Sequence, residues 1–136
     1  MIINPDLTVE YMGLKLKNPL VAAASPLSHR IENIRQLEQE GIAAVVMFSL
    51  FEEQIVNESL ELHHHLTYGT ESYAEALTFY PQASQYTLTP AEYLKHITKA
   101  KKSVQVPIIG SLNGFTLGGW TKYAKRIEEA GADGLE

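Results

Sequence analysis

Asn18-Pro19-Leu20-Val21-Ala22-Ala23-Ala24-Ser25-Pro26 is the stretch on which the reading of this chain turns. Leu20 to Ala24 is an unbroken apolar run. Such a run suits a strand covered on both faces, and hence a parallel sheet flanked by helices. The side chains then shrink to Ala and Ser where the strand ends. Small residues at the C-terminal end of a parallel strand let the backbone approach a ligand, and that end is where α/β sheets and barrels keep their sites. The same residues would also serve a strand packed tightly against a helix.

Before this stretch, Leu7, Val9 and Tyr11 alternate with polar neighbours, Met12-Gly13 can turn, and Leu14 and Leu16 alternate again. This pattern predicts a β-hairpin over residues 7 to 17. After it, the sequence predicts a helix with Ser28 as N-cap, a buried stripe of Ile31, Ile34 and Leu37, and a C-terminal cap at Gly41. A second apolar run from Ile42 to Leu50 predicts the next parallel strand. Residues 51 to 89 form a long excursion in which Glu58 to Leu66 and Thr70 to Phe79 have helical character. Connections of that length carry lids or substrate contacts, or form a packed subdomain.

Thr89-Pro90-Ala91-Glu92 has a hydroxyl for the N-cap, Pro at the first helical position and a Glu placed for a capping box. Leu94, Ile97 and Ala100 are the expected buried face of that helix. Val106-Pro107-Ile108-Ile109 leads into a third strand that closes at Gly110-Ser111-Leu112-Asn113-Gly114. A third helix over Gly119 to Ala130 is predicted to turn Trp120, Ala124 and Ile127 inward and to stop at Gly131; Ala132 to Glu136 begins a fourth strand. The junctions Leu37-Glu38-Gln39-Glu40-Gly41-Ile42-Ala43 and Ile127-Glu128-Glu129-Ala130-Gly131-Ala132-Asp133 resemble each other, as the repeat of a β/α architecture should. Right-handed crossovers would arrange four such strands as half a barrel or as an open sheet. The fourth strand has no following helix to cover it, so residues 1 to 136 are expected to belong to a longer protein.

Composition narrows the function classes. The 136 residues are 45% hydrophobic and 20% charged, as in a globular domain with a sizeable core. A net charge of -5 gives no long-range attraction for nucleic acid or for an anionic membrane. The absence of cysteine excludes disulfides and thiolate metal sites. Met1 to Glu10 lacks the features of a signal peptide and no apolar run is long enough to span a membrane, so the expected location is the cytoplasm.

Individual residues with chemical potential are few. His63-His64-His65 are successive, so they diverge around a helix and at most two share a strand face, without a further ligand at a familiar spacing. No metal site is expected. His29, near the end of the first strand, could face a site but reads first as a solvent-facing residue of the first helical turn; His96 reads as a surface or partly buried helix residue, Gly118-Gly119 as a turn, and Glu52-Glu53 as a solvated pair whose carboxylates point apart. Ser49, Ser111 and Asn113 fall at predicted C-terminal strand ends, where they could hydrogen-bond a polar ring system or cap the next helix or turn.

Taken in order, these segments are similar to the dihydroorotate dehydrogenase family. The segments are Gly13 to Leu20, the Ala-Ala-Ser ending of the first strand, Ser49 after the second, Pro107 to Gly114, and Ala130 to Glu136. Ala24 to Ser28 and Ser49 to Ile55 resemble, more narrowly, its dihydroorotate dehydrogenase-like branch. The likeness covers essentially the whole chain, and its specificity lies in the succession of motifs. It implies the N-terminal part of a TIM (β/α)8 barrel, about three and a half β/α units preceded by a hairpin. It further implies FMN at the C-terminal strand ends, with Ala23, Ala24 and Ser25 lining the flavin from the first strand, Ser49 from the second and Ser111 from the third.

The implied activity is hydride transfer from a CH-CH group of a small-molecule substrate to flavin, as in pyrimidine biosynthesis, by a homodimer of the full-length protein. Two departures separate the chain from true dihydroorotate dehydrogenases. Phe48 stands where the family carries a Lys, and no Asn-Ser-x-Gly-x-x-Asn loop falls between Phe51 and Thr89. Without those polar groups an orotate carboxylate is poorly held. The catalytic base and the phosphate loops of the family would lie beyond Glu136. The other readings compatible with the pattern are a TIM-barrel lyase or aldolase, and a non-catalytic barrel that binds a flavin or a partner.

Overall fold

The computed structural model describes residues 5–52, 55, 89–114, 116 and 118–136. The expected hairpin is present as β1 (Val9–Tyr11) and β2 (Leu14–Leu16), antiparallel, with Val9 opposite Leu16. Met12 at φ 53° and Gly13 at φ 74° give its turn two successive positive φ values. That geometry matches the twist of the flanking strands, and Gly carries one of the two positions at little cost.

The apolar runs become one parallel sheet of β3 (Val21–Ala22), β4 (Ala44–Phe51), β5 (Ile108–Asn113) and β6 (Gly134–Leu135), in the order β3-β4-β5-β6. Helices α1 (Ile31–Gln39), α2 (Pro90–Ser103) and α3 (Gly119–Glu129) precede β4, β5 and β6 in the chain. All three lie on one face, where Ile34, Tyr93, Ile97 and Ile127 pack with Met47 and Ile108 in a single buried cluster. The other face carries a second cluster, in which Leu16 of the hairpin packs with Ala44, Val46 and Ile109. The hairpin therefore spans the sheet's helix-free face, and its tip residue Met12 reaches Gly134 of β6.

Three expectations are corrected. The first strand pairs only at Val21–Ala22, an edge of the sheet among the described residues; Ala22 packs on the helix side and Val21 on the hairpin side, while Leu20 before them is 59% exposed. Ser28 does not cap a helix. Pro26–His29 form a 3-10 turn, α1 begins at Ile31, and the buried Ser28 hydroxyl donates to the Ser25 carbonyl while accepting the Phe48 N–H. Trp120 is exposed, and Tyr123, one turn before Ile127, occupies the inward position instead.

The local start and stop signals hold. Thr89 Oγ1 accepts the Glu92 N–H while the Glu92 carboxylate accepts the Thr89 N–H, a complete capping box. Gly41 and Gly131 follow α1 and α3 at φ 98° and 101°, with the same pair of bonds at each: Gly41 N–H to Glu38 O and Ile42 N–H to Leu37 O, Gly131 N–H to Glu128 O and Ala132 N–H to Ile127 O. These are Schellman caps, and they explain why the two junctions look alike in sequence. Gly41→Ala and Gly131→Ala are each expected to cost about 1–2 kcal/mol, because a Cβ at positive φ meets the carbonyl; chemical denaturation of each variant measures it.

Two carboxylates set where β5 begins. Glu38 accepts the N–H groups of Gln105 (2.6 Å) and Val106 (3.0 Å), and Asp133 accepts that of Ile108 (2.8 Å) while pairing with Lys101. Among the described residues no helix is long and apolar enough to cross a membrane. The helices expected at 58–66 and 70–79, the triplet His63-His64-His65, and Glu53 lie outside the described residues.

Candidate functional site

The pairing of β4 with β5 changes phase near its C-terminal end. Val46 is opposite Ile109 and Ser49 is opposite Ser111, so β4 carries one residue more than β5 between these pairs. An extra residue of this kind is a β-bulge, and it re-aims every side chain beyond it. Met47 and Phe48 both pack on the helix face. Ser49 is thereby turned to the same side as Ser111, and the two hydroxyl oxygens lie 2.8 Å apart. Strict alternation from Val46 would have pointed Ser49 at the helices.

The bulge is stitched from the helix side. The Ser28 hydroxyl accepts the Phe48 N–H at 2.7 Å, and a ring nitrogen of His96 lies 2.7 Å from the Ser28 carbonyl. The fully buried Tyr93 hydroxyl donates to Ser111 O (3.1 Å) and accepts the Ser111 N–H (3.0 Å). Burial, against the bond to Ser111, pushes the Tyr93 phenol up to about 12. Phe48 closes this web, stacked on His29 with ring centroids 4.0 Å apart and edge-on to Tyr93 at 5.0 Å. Its ring thus points away from the face that carries Ser49 and Ser111.

Burial, with His96 beside it, holds the His29 imidazole below the ordinary histidine value. His29 is neutral in the fold, so the stability it contributes is present above pH 6.5 and is lost as pH falls through and below that value. His29→Phe, which keeps a ring against Phe48, is expected to flatten the acid side of a stability-against-pH curve.

The remaining sequence-derived positions are more dispersed. Ser49 and Ser111 are brought together. Ala23 is exposed and lines a recess under the hairpin with Val9, Tyr11, Pro19, Val21 and Val46. Ala24 packs against the helix-free cluster, and Ser25 opens the 3-10 turn, its carbonyl accepting from both the N–H and the hydroxyl of Ser28. Asn113 ends β5 and is exposed.

Glu52 departs from its expected role as a solvated carboxylate. It is 3% exposed and accepts both the N–H and the hydroxyl of Thr116, in the loop between β5 and α3. A Cβ on Gly119 would collide with that carboxylate and with the Thr116 hydroxyl, and one on Gly114 would come within 2.7 Å of Trp120 Cβ. The glycines after β5 therefore make room for Glu52 and Trp120. A carboxylate held against the first turn of α3 satisfies its N-terminal field and disfavours a phosphate there. Among the described residues no group of His, Asp and Glu could hold a metal ion. Compared with the models of known protein families, the chain matches none.

Proposed function

We propose that this chain is the N-terminal part of a (β/α)8 barrel that binds FMN at its C-terminal strand ends and works as a dihydroorotate dehydrogenase-like oxidoreductase. The observation that carries the reading is the Ser49–Ser111 hydroxyl pair, side by side at the C-terminal ends of adjacent parallel strands. One hydroxyl donates to the other, which leaves one O–H and several lone pairs for the polar edge of a flat ring. Among the described residues, the sequential strand order with the three helices on one face supports a barrel over a doubly wound sheet, whose order would reverse at a switch point. Ala24 and Ser25, small residues between β3 and the 3-10 turn, suit close approach of a planar group. The chemistry supplied by bound FMN is acceptance of a hydride from a substrate carbon, and this chain's residues bind and orient.

Phe48 favours a second reading within this one. Its ring is committed to His29, Tyr93 and His96, so the position that carries a Lys in the family offers no cation to a substrate carboxylate here. Dihydroorotate is accordingly expected to leave the flavin oxidised. Titration of FMN fluorescence with the purified protein tests the assignment. Quenching to a 1:1 end point is expected, with Ser111→Ala weakening binding about tenfold for the lost hydroxyl bond. A protein that neither carries nor takes up FMN sinks the flavin reading and moves the lyase and partner-binding barrels ahead of it. Flavin that dithionite reduces, with no reduced organic substrate doing so, selects the non-catalytic barrel.

A further inference from the structure

We infer that Tyr93 is a positioning residue for the hydroxyl pair: from the helix side, its phenol holds Ser111 at the depth that brings Ser111 Oγ onto Ser49 Oγ. Three observations converge on it. Tyr93 is fully buried, so its ring has one fixed place in the packing between α2 and the sheet. Its hydroxyl uses both its donor and an acceptor lone pair on one residue, bonding Ser111 O and Ser111 N–H. Ser111 is opposite Ser49 in the first pair after the phase change in the β4–β5 ladder, where the register is set by the bulge.

The geometry separates this role from mere filling of space. A phenylalanine at position 93 would occupy the same volume and keep the edge-on contact to Phe48. It would leave the Ser111 N–H and carbonyl without the hydroxyl, in a setting where Ser111 is 4% exposed and water does not readily replace it. The strand end can then relax along its length, and a shift of a few tenths of an ångström breaks a 2.8 Å hydroxyl contact. Ser28 anchors the β4 side of the same bulge through Phe48 N–H, so the two sides of the pair are held separately, Ser49 from the 3-10 turn and Ser111 from α2.

The effect on flavin binding rests on the function proposed above; the effect on the serine pair does not. Tyr93→Phe is therefore read two ways in the whole protein. Amide hydrogen exchange at Ser111 is expected to accelerate selectively, and FMN is expected to bind about tenfold more weakly with a displaced visible absorption band. On a Ser111→Ala background, Tyr93→Phe is expected to add nothing to the loss of FMN affinity. Ile97→Val, one turn along the same buried face, is the control: it lowers stability and leaves the flavin band and the Ser111 exchange unchanged. Should Tyr93→Phe fail to fold, fluorotyrosine at position 93 keeps the ring and hydroxyl and alters only the strength of the two bonds, with a smaller change in Ser111 exchange expected. Unchanged exchange at Ser111 in a folded variant overturns the positioning role. Accelerated exchange in a protein that takes up no FMN upholds that role and removes the flavin assignment alone.

Discussion

Gly110→Ala is expected to destabilise the protein by about 1–3 kcal/mol, and Ile127→Ala is expected to relieve part of that loss where Ile127→Val does not. Gly110 lies in the middle of β5, under α3, and a Cβ built on it would stand 2.5 Å from Cγ2 of Ile127 and 3.6 Å from Leu135. Ile127 is 1% exposed, so it cannot swing aside into solvent. Either helix α3 lifts or the side chain leaves its rotamer, and both loosen the cluster that joins the helices to the sheet. Ile127→Ala alone should cost about 2–5 kcal/mol through the cavity it leaves. In the double variant the new methyl fills part of that space, so the sum of the single costs should exceed the double cost by about 0.5–3 kcal/mol. Valine keeps both carbons on Cβ, including Cγ2, and removes only Cδ1. Urea unfolding of the two pairs measures the coupling, and equal relief by valine and alanine would mean that the clash is not at Cγ2.

The parts of this fold legible in the sequence are those fixed by rules acting over a few residues. The Met12-Gly13 turn, the Thr89–Glu92 box and the Gly41 and Gly131 caps each follow from one backbone constraint, and each is where the pattern places it. The apolar runs were equally legible as strands, although the first is shorter at the sheet's edge. Which face a side chain takes was less legible. In α3, Trp120 and Tyr123 both stand at helical spacing from Ile127, seven and four residues back, and periodicity alone does not choose between them. Position does: Trp120 lies in the first turn, beside Gly114, and Tyr123 lies over the core.

The candidate site was legible as residue types and not as geometry. The apolar run Ala44 to Phe48 has no alternation, so it carries no mark of a bulge, and the orientation of the following Ser49 depends on that bulge. The partners that enforce it are distant in sequence: Ser28 lies 20 residues from Phe48, and Tyr93 lies 18 from Ser111. One signal pointed to Tyr93, since it shares the spacing of Ile97 and Ala100 on the buried stripe of α2, and a buried phenol needs a partner. Nothing local marked Glu52 for burial. Burial of Glu52 follows from the loop around Thr116 and the glycines that admit the carboxylate, a tertiary arrangement with no local pattern.

Alkaline pH offers a second large effect, carried by the same phenol. The unfolded chain releases the Tyr93 proton near pH 10.0, whereas the folded protein holds it up to about 12. Between those values the unfolded state binds fewer protons than the folded one, so stability falls as pH rises. The contribution is complete below the unfolded value and is gone above the folded one, a change of roughly 2–3 kcal/mol. Tyr93→Phe removes the titrating group. The variant is therefore expected to start less stable near neutrality, having lost both bonds to Ser111, and to decline less steeply across this window, so that the two curves converge at its upper end. Urea midpoints along a pH series give the two curves directly. Parallel decline of wild type and variant would mean that the Tyr93 phenol ionises as freely folded as unfolded, which its burial between α2 and Ser111 opposes.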